Sequence, residues 1–176
     1  MQTLIPISLR DEKLQLIESC YGNGKQISQE YTVYQQANII IRIDEDLTTN
    51  TDDHTIVTLG ELKRAPQEGI TTQHALISHV SGDAHKFIRS MGHQPTHTWI
   101  ERGYSFEYES ITIKIFEILS WQEVSIDPDN VAISIEGFSP IQETATKSLC
   151  NQIQSIYMNL LYGIQPFTPG NQFIRS

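Results

Sequence analysis

The sequence predicts a mainly β fold, an antiparallel barrel carrying about three helices, the last of them long. Three observations lead there. Eight segments alternate with period two, against three with helical spacing. The connections between the alternating segments are short, as antiparallel pairing allows. A long apolar stripe near the C-terminus is framed by helix start and stop signals.

The candidate strands are residues 2–8, 29–35, 37–43, 54–62, 72–80, 96–108, 110–121 and 131–138. The first helix spans 10–21, where Leu14, Ile17 and Tyr21 recur at helical spacing. Ser8 with Asp11 resembles a capping box, and Gly22 and Gly24 end the helix. The second spans 82–91, with Ala84, Phe87, Ile88 and Met91 on one face and Gly92 as its stop. In the third, Ser139 is the N-cap, Pro140 takes the first helical position and Gln142 completes a capping box. Ile141, Ala145, Leu149, Ile153, Ile156 and Leu160 form its stripe, Gly163 stops it and Pro166 bars continuation. Such a helix is roughly 33 Å long, enough to cross a small barrel. Residues 44–54 and 63–71 read as exposed loops, and the tail from 163 has no period.

A length of 176 residues suits one domain, 1–176, with a sizeable core. With 12 Lys and Arg against 21 Asp and Glu, the net charge of -9 repels phosphate backbones, and no basic run offsets it. Direct nucleic-acid binding is therefore not expected. The acidic run Asp44, Glu45 and Asp46 reads as a solvated strand end. Cys20 and Cys150 lack CxxC partners and read as free thiols in a reducing compartment. The apolar start of the chain reads as a strand and no signal peptide is visible. No apolar run approaches the ~20 residues of a membrane helix. A soluble cytoplasmic or nuclear protein without a membrane partner is expected.

The hairpin over 96–121 is the most telling segment. Ile100, Tyr104, Phe106 and Tyr108 share one face, while Glu101, Ser105 and Glu107 take the other. After a turn near Glu109 and Ser110, Ile111, Ile113 and Ile115 join the aromatic face. The opposite face of the return strand begins with Thr112 and Lys114, then becomes Phe116 and Ile118, with Trp121 just beyond. A strand apolar on both faces must be covered on both. The chain's own long helix and a partner are both open as the cover.

No constellation points to catalysis. Gly22-Asn23-Gly24-Lys25 follows a helix where a phosphate loop follows a strand, and Gln26 stands where Ser or Thr belongs. His93 and His97 are separated by Pro95, which excludes the helix that would join them, and in a strand they lie about 13 Å apart. His74 and His79 fall on opposite strand faces. Glu107 and Glu109 form an E-x-E pair of the kind that binds metal in triphosphate-tunnel enzymes, but such a tunnel needs charged residues on nearly every strand. The inward sets expected here are apolar: Ile39, Ile41 and Ile43; Val57 and Leu59; Ile111, Ile113 and Ile115; and Val131, Ile133 and Ile135. There is no G-x-S-x-G. No catalytic residue, cofactor or metal is expected.

Residues 75–118 resemble the central signature of the Mediator complex subunit 18 family. The matching elements are Ala75-Leu76-Ile77, Met91-Gly92, Gly103 to Phe106, and Ile111 to Ile118. The order of the remaining elements also agrees along the chain. The resemblance implies a barrel of the Mediator head module, distantly similar to the triphosphate-tunnel barrel but without its active site. It implies pairing with a second barrel, subunit 20, and capture of the C-terminal helix of subunit 8. It also implies contact with RNA polymerase II and general factors, a role in transcription, and a nuclear location. Phe116, Ile118 and Trp121 are the candidate partner-binding residues, with Trp99, Phe167 and Phe173 as further candidates. On this reading Phe116→Asp abolishes partner binding and leaves the barrel folded. The alternatives are a metal-dependent tunnel phosphohydrolase, whose activity Glu107→Gln would remove, and a small-ligand barrel, which needs an unfilled lumen.

Overall fold

The computed structural model describes residues 1–49, 51–67, 69–140 and 142–164. The chain runs β1 (Gln2–Pro6), a 3-10 turn (Ile7–Leu9), α1 (Arg10–Tyr21), β2 (Lys25–Gln36), β3 (Ile39–Asp46), β4 (Asp53–Arg64) and β5 (Thr71–Ser81). It continues with α2 (Ala84–Ser90), β6 (Gln94–Tyr108), β7 (Ile111–Leu119), β8 (Asn130–Gly137) and α3 (Glu143–Leu160). The eight strands form one antiparallel sheet in the order β1-β8-β7-β6-β2-β3-β4-β5, with β1 and β5 at its edges. The mainly antiparallel class and all eight strands match the expectation. The sheet is not closed by strand pairing, so it is a barrel only in outline.

One face of the sheet carries the helices. Ile111, Ile113 and Ile115 of β7, Val131, Ile133 and Ile135 of β8 and Ile5 of β1 pack with Leu149, Ile153, Ile156 and Leu160 of α3 and Ile17 of α1. Burying each such side chain contributes ~1.5–3 kcal/mol. A smaller core of Tyr34, Ile41, Ile43 and Ile56 lies under Ala84 and Ile88 of α2. The Gln67 amide at the β4–β5 turn donates to Asn151 of α3 at 2.7 Å, tying the far hairpin to the same helix.

The opposite face is concave. Glu136 of β8 acts electrostatically on Arg42 of β3, although β7, β6 and β2 lie between them in the sheet. Only a curled sheet brings them within range.

This geometry corrects three of the four expected inward sets. Ile41 and Ile43 of β3, Ile111, Ile113 and Ile115 of β7 and the apolar set of β8 face the helices. Val57 and Leu59 of β4, opposite Arg42 and Ile40, do line the concave side, which is largely polar. Strand alternation defines two faces but does not say which one curls inward. Ile39, at the start of β3, is 51 % exposed and belongs to neither core.

The capping expectations also change at two helices. Ser8 lies in the 3-10 turn, and α1 begins after Leu9 with no side-chain cap. For α3 the N-cap is Gln142, so the helix has 18 residues and is about 27 Å long. The Ser139 hydroxyl instead pairs with the Thr146 hydroxyl at 3.2 Å, which removes it from the capping role. Ile141, Pro166, Phe167 and Phe173 lie outside the described residues. At α2 the Asp83 carboxylate accepts from the Lys86 amide at 2.8 Å, and Gly92 follows with φ 92°. No described helix is long and apolar enough to cross a membrane.

Candidate functional site

Two regions bear on function: the concave face and the exposed apolar turn after β7. The concave face is built by strand register. Tyr31 of β2 stands opposite Asp44 of β3 and Trp99 of β6, and Lys114 of β7 stands opposite Ser105 of β6 and Ser134 of β8. Residues that face each other across antiparallel strands share a side, so these groups converge.

Tyr31 is the hub. Its ring stacks on Trp99 with centroids 5.2 Å apart, and the Arg42 guanidinium lies 4.9 Å from its centre. Its hydroxyl accepts from Lys114 Nζ at 3.0 Å and donates to Gln29 Oε1 at 2.8 Å. Arg42 donates twice to Asp44, at 2.6 and 2.8 Å. Lys114 lies 3.8 Å from Glu101, whose other oxygen accepts from the Trp99 indole at 3.2 Å.

The titration behaviour follows from this packing. Burial raises the Tyr31 phenol, and Glu101 adds to the rise against Lys114 and Arg42. Burial opposes the charge on Lys114, but Glu136, Tyr31 and Glu101 outweigh it and hold the ammonium protonated. Arg42 is likewise raised against burial by its Asp44 bonds. Burial pushes the Glu101 carboxyl above the usual carboxylate range, with Lys114 acting against it. Two cations are thus met by the carboxylates of Asp44, Glu101 and Glu136.

Lys114→Met removes the opposing charge from Glu101 and is expected to destabilise the fold by about 2 kcal/mol. The sign of its pH dependence is set by Glu101. Its folded pKa lies above the ordinary value of 4.5, so its stabilising contribution is complete below that pH and is lost as pH rises through the folded value. Without Lys114 the folded value climbs further. Urea unfolding should therefore show a larger penalty at about pH 7 than at about pH 4. The double variant Glu101→Gln with Lys114→Met should recover most of the loss.

Among the described residues, neither glutamate of the E-x-E pair joins a cluster of metal-ligating side chains. Glu107 is exposed near the end of β6 and accepts from Thr112 at 2.9 Å, while Glu109 sits in the turn at φ 55°. Gly22 caps α1 at φ 85° and Lys25 opens β2, which is a helix end and not a phosphate loop. His79 pairs with the Thr55 hydroxyl at 3.1 Å. Cys20 and Cys150 are both free thiols.

The expected partner-binding residues separate. Phe116 is 3 % exposed and lies on the concave side, opposite Gly103 and Ala132. Ile118 is half-buried on that side, opposite Glu101. Trp99 is engaged with Tyr31 and Glu101. Both faces of β7 are therefore covered by the chain itself, one by α3 and α1 and the other by the curl of the sheet.

Trp121 alone of the described candidates is prominent at the surface, at 69 % exposure, with Val124 and Ile126 exposed beside it. Their turn is tied down. Ser120 N–H donates to Val124 O at 2.8 Å, Glu123 N–H donates to Ser120 O at 2.9 Å, and Arg102 pairs with Glu123 at 2.7 Å. A second exposed surface is the edge strand β5, where Leu76 is 73 % exposed.

No family model matches the sequence, and no curated relative matches it. The fold has counterparts among solved structures. A chain of the Schizosaccharomyces pombe Mediator head module superposes with a TM-score of 0.75 at 10% identity, covering 93% of this chain and 94% of that one. The PH1012 protein of Pyrococcus horikoshii gives 0.61 at 13% identity, with 95% and 94% covered. The Hippeastrum protein HpAC1, which has a dominant triphosphatase activity, gives 0.60 at 8% identity, with 98% and 91% covered. The chain therefore has a triphosphate-tunnel-like barrel fold, which a Mediator head chain shares.

Proposed function

We propose that this chain is a non-catalytic scaffold subunit of a Mediator head module, working in the nucleus in RNA polymerase II transcription. The observation that carries this reading is the neutralised concave face. A tunnel that binds a triphosphate needs cations in excess of carboxylates, and here Arg42 and Lys114 are met by Asp44, Glu101 and Glu136. Tyr31 and Trp99 occupy the space between them. The superposition on the Mediator head chain agrees with this reading.

On this proposal a second barrel, subunit 20, and the C-terminal helix of subunit 8 are the partners. Contact with the polymerase and general factors follows through the assembly. The Trp121, Val124 and Ile126 turn supplies an exposed, preorganised apolar contact of the kind that anchors an interface. Phe167 and Phe173 stay as further partner-binding candidates.

Co-expression with both partners, followed by size-exclusion chromatography and mass determination, tests the proposal. A stable stoichiometric complex is expected, with Trp121→Ser weakening it at least about tenfold and leaving the fold intact. A monomer that ignores both partners overturns it. So does manganese- or magnesium-dependent release of phosphate from triphosphate that Glu107→Gln removes, since that is the behaviour of a tunnel hydrolase.

A further inference from the structure

Beneath α2, on the helix-covered face, three adjacent strands and one helix bring a separate group together. The ladder sets Glu30 of β2 opposite Glu45 of β3, and Glu45 opposite His54 of β4. His85 projects onto them from the first turn of α2. Glu45 Oε2 lies 3.7 Å from His85 Nε2 and 3.9 Å from His54 Nδ1. One nitrogen from each histidine and a carboxylate oxygen lie within 4.8 Å of one another.

These separations are too long for hydrogen bonds. They are close to what a shared ion requires. Ligand bonds of about 2.0–2.1 Å in a tetrahedral zinc site place the ligand atoms about 3.3 Å apart, so each Glu45–histidine separation has to close by about half an ångström.

Two further observations point to a ligand. His54 is 9 % exposed, yet its Nδ1 is buried with no hydrogen-bond partner. Buried ring nitrogens are ordinarily satisfied. The other observation is that His85 is already oriented. Its Nδ1 is hydrogen-bonded to the hydroxyl of the fully buried Tyr34 at 2.7 Å. With Nδ1–H donating to the tyrosine oxygen, Nε2 keeps its lone pair toward Glu45, the arrangement that holds a metal-binding histidine in place.

We propose that Glu45, His54 and His85 form a zinc-binding site that fastens α2 to the sheet. Two imidazoles and one carboxylate suit zinc, whereas magnesium and calcium prefer all-oxygen ligands. Three protein ligands leave a fourth tetrahedral position for solvent. A surface cleft of about 340 Å³, lined by Asp53, Thr55, His79, Val80 and Ser81, has one of the three ligands, His54, in its wall. The helix gains most from such a link, because it has seven residues and buries only Ala84 and Ile88.

Chelator-treated full chain, titrated with zinc chloride by calorimetry, tests the site. One zinc per chain is expected, with a rise in melting temperature and stronger hydrogen-exchange protection over Ala84–Ser90. Cobalt substituted at the site should give the visible absorption of tetrahedral coordination. Glu45→Gln and His85→Ala should each cut zinc affinity at least about tenfold, and Tyr34→Phe about tenfold through loss of the orienting bond. His97→Ala, distant from the site, should bind as the parent does, and magnesium should not raise the melting temperature. His85 and Glu45 are both partly exposed, so two independent variants guard against misfolding of either. Absence of saturable zinc binding to the folded chain overturns the proposal, as does binding that neither variant weakens.

Discussion

Phe116→Asp unfolds the protein. Phe116 is almost wholly buried on the concave side of β7, flanked by Gly103 and Ala132 on the neighbouring strands. Removing the ring alone costs about 3–5 kcal/mol. A carboxylate in its place adds a desolvation penalty with no cation assigned to it, because Lys114 is already engaged with Tyr31 and Glu101. The total approaches the whole stability of a typical domain, about 5–15 kcal/mol. Circular dichroism should show no cooperative thermal transition, whereas Phe116→Leu should keep the transition at a lower temperature. A folded Phe116→Asp protein that lost only partner binding would return this residue to the surface role that the strand pattern suggests.

Gly103→Ala gives the second large effect, and it arises on the facing strand. A methyl group added at Gly103 would lie 2.7 Å from Phe116 Cα and 3.0 Å from the Ile115 carbonyl carbon. Both are backbone atoms of β7, so no side chain can swing aside. The two strands of the hairpin would have to part there, taking with them the pairs Arg102 with Glu117 and Tyr104 with Ile115. A loss of at least about 3 kcal/mol is expected, far above the few tenths that glycine replacement costs in an open strand. Urea denaturation reads it directly. At Gly22 the same methyl meets open space, and only its φ of 85° opposes the change, so the penalty there should be smaller.

Much of this fold was legible because its strands are long and regular. β6 and β7 alternate cleanly, and their turn at Glu109 lies where the register resets. Even β5, exposed along nearly its whole length, is legible from its period-two alternation. Strand ends were less legible: β2 begins at Lys25 and not at residue 29, since polar Lys25 and Gln26 pair without being buried.

The choice of concave face was out of reach for a different reason. Apolar residues go where helices cover them, and here the helices lie outside the curl. The polar hub left local traces in pairs two apart on a strand, which share a face: Arg42 with Asp44, Trp99 with Glu101 and Tyr31 with Gln29. The rest of the hub left none, because the other partners of Tyr31 come from β3, β6 and β7. Glu45, His54 and His85 were hidden in the same way, since strand register and the docking of α2 join residues that no short motif could contain.

The strand order also governs how the chain must be made. β1 finds its partner only in β8, with Gln2 opposite Ser134 and Pro6 opposite Asn130. On a ribosome adding about 5–20 residues per second, the first strand waits several seconds or more for its neighbour to be synthesised. The β2–β5 meander needs no such delay, because each of its strands pairs with the next to emerge. Vectorial synthesis therefore delivers a growing sheet whose leading strand is still unpaired until β8 seats between β7 and β1, with only α3 among the described elements still to follow. A stalled nascent chain that ends before Asn130 would expose both Ile5 and the open side of β7, a surface that chaperones recognise.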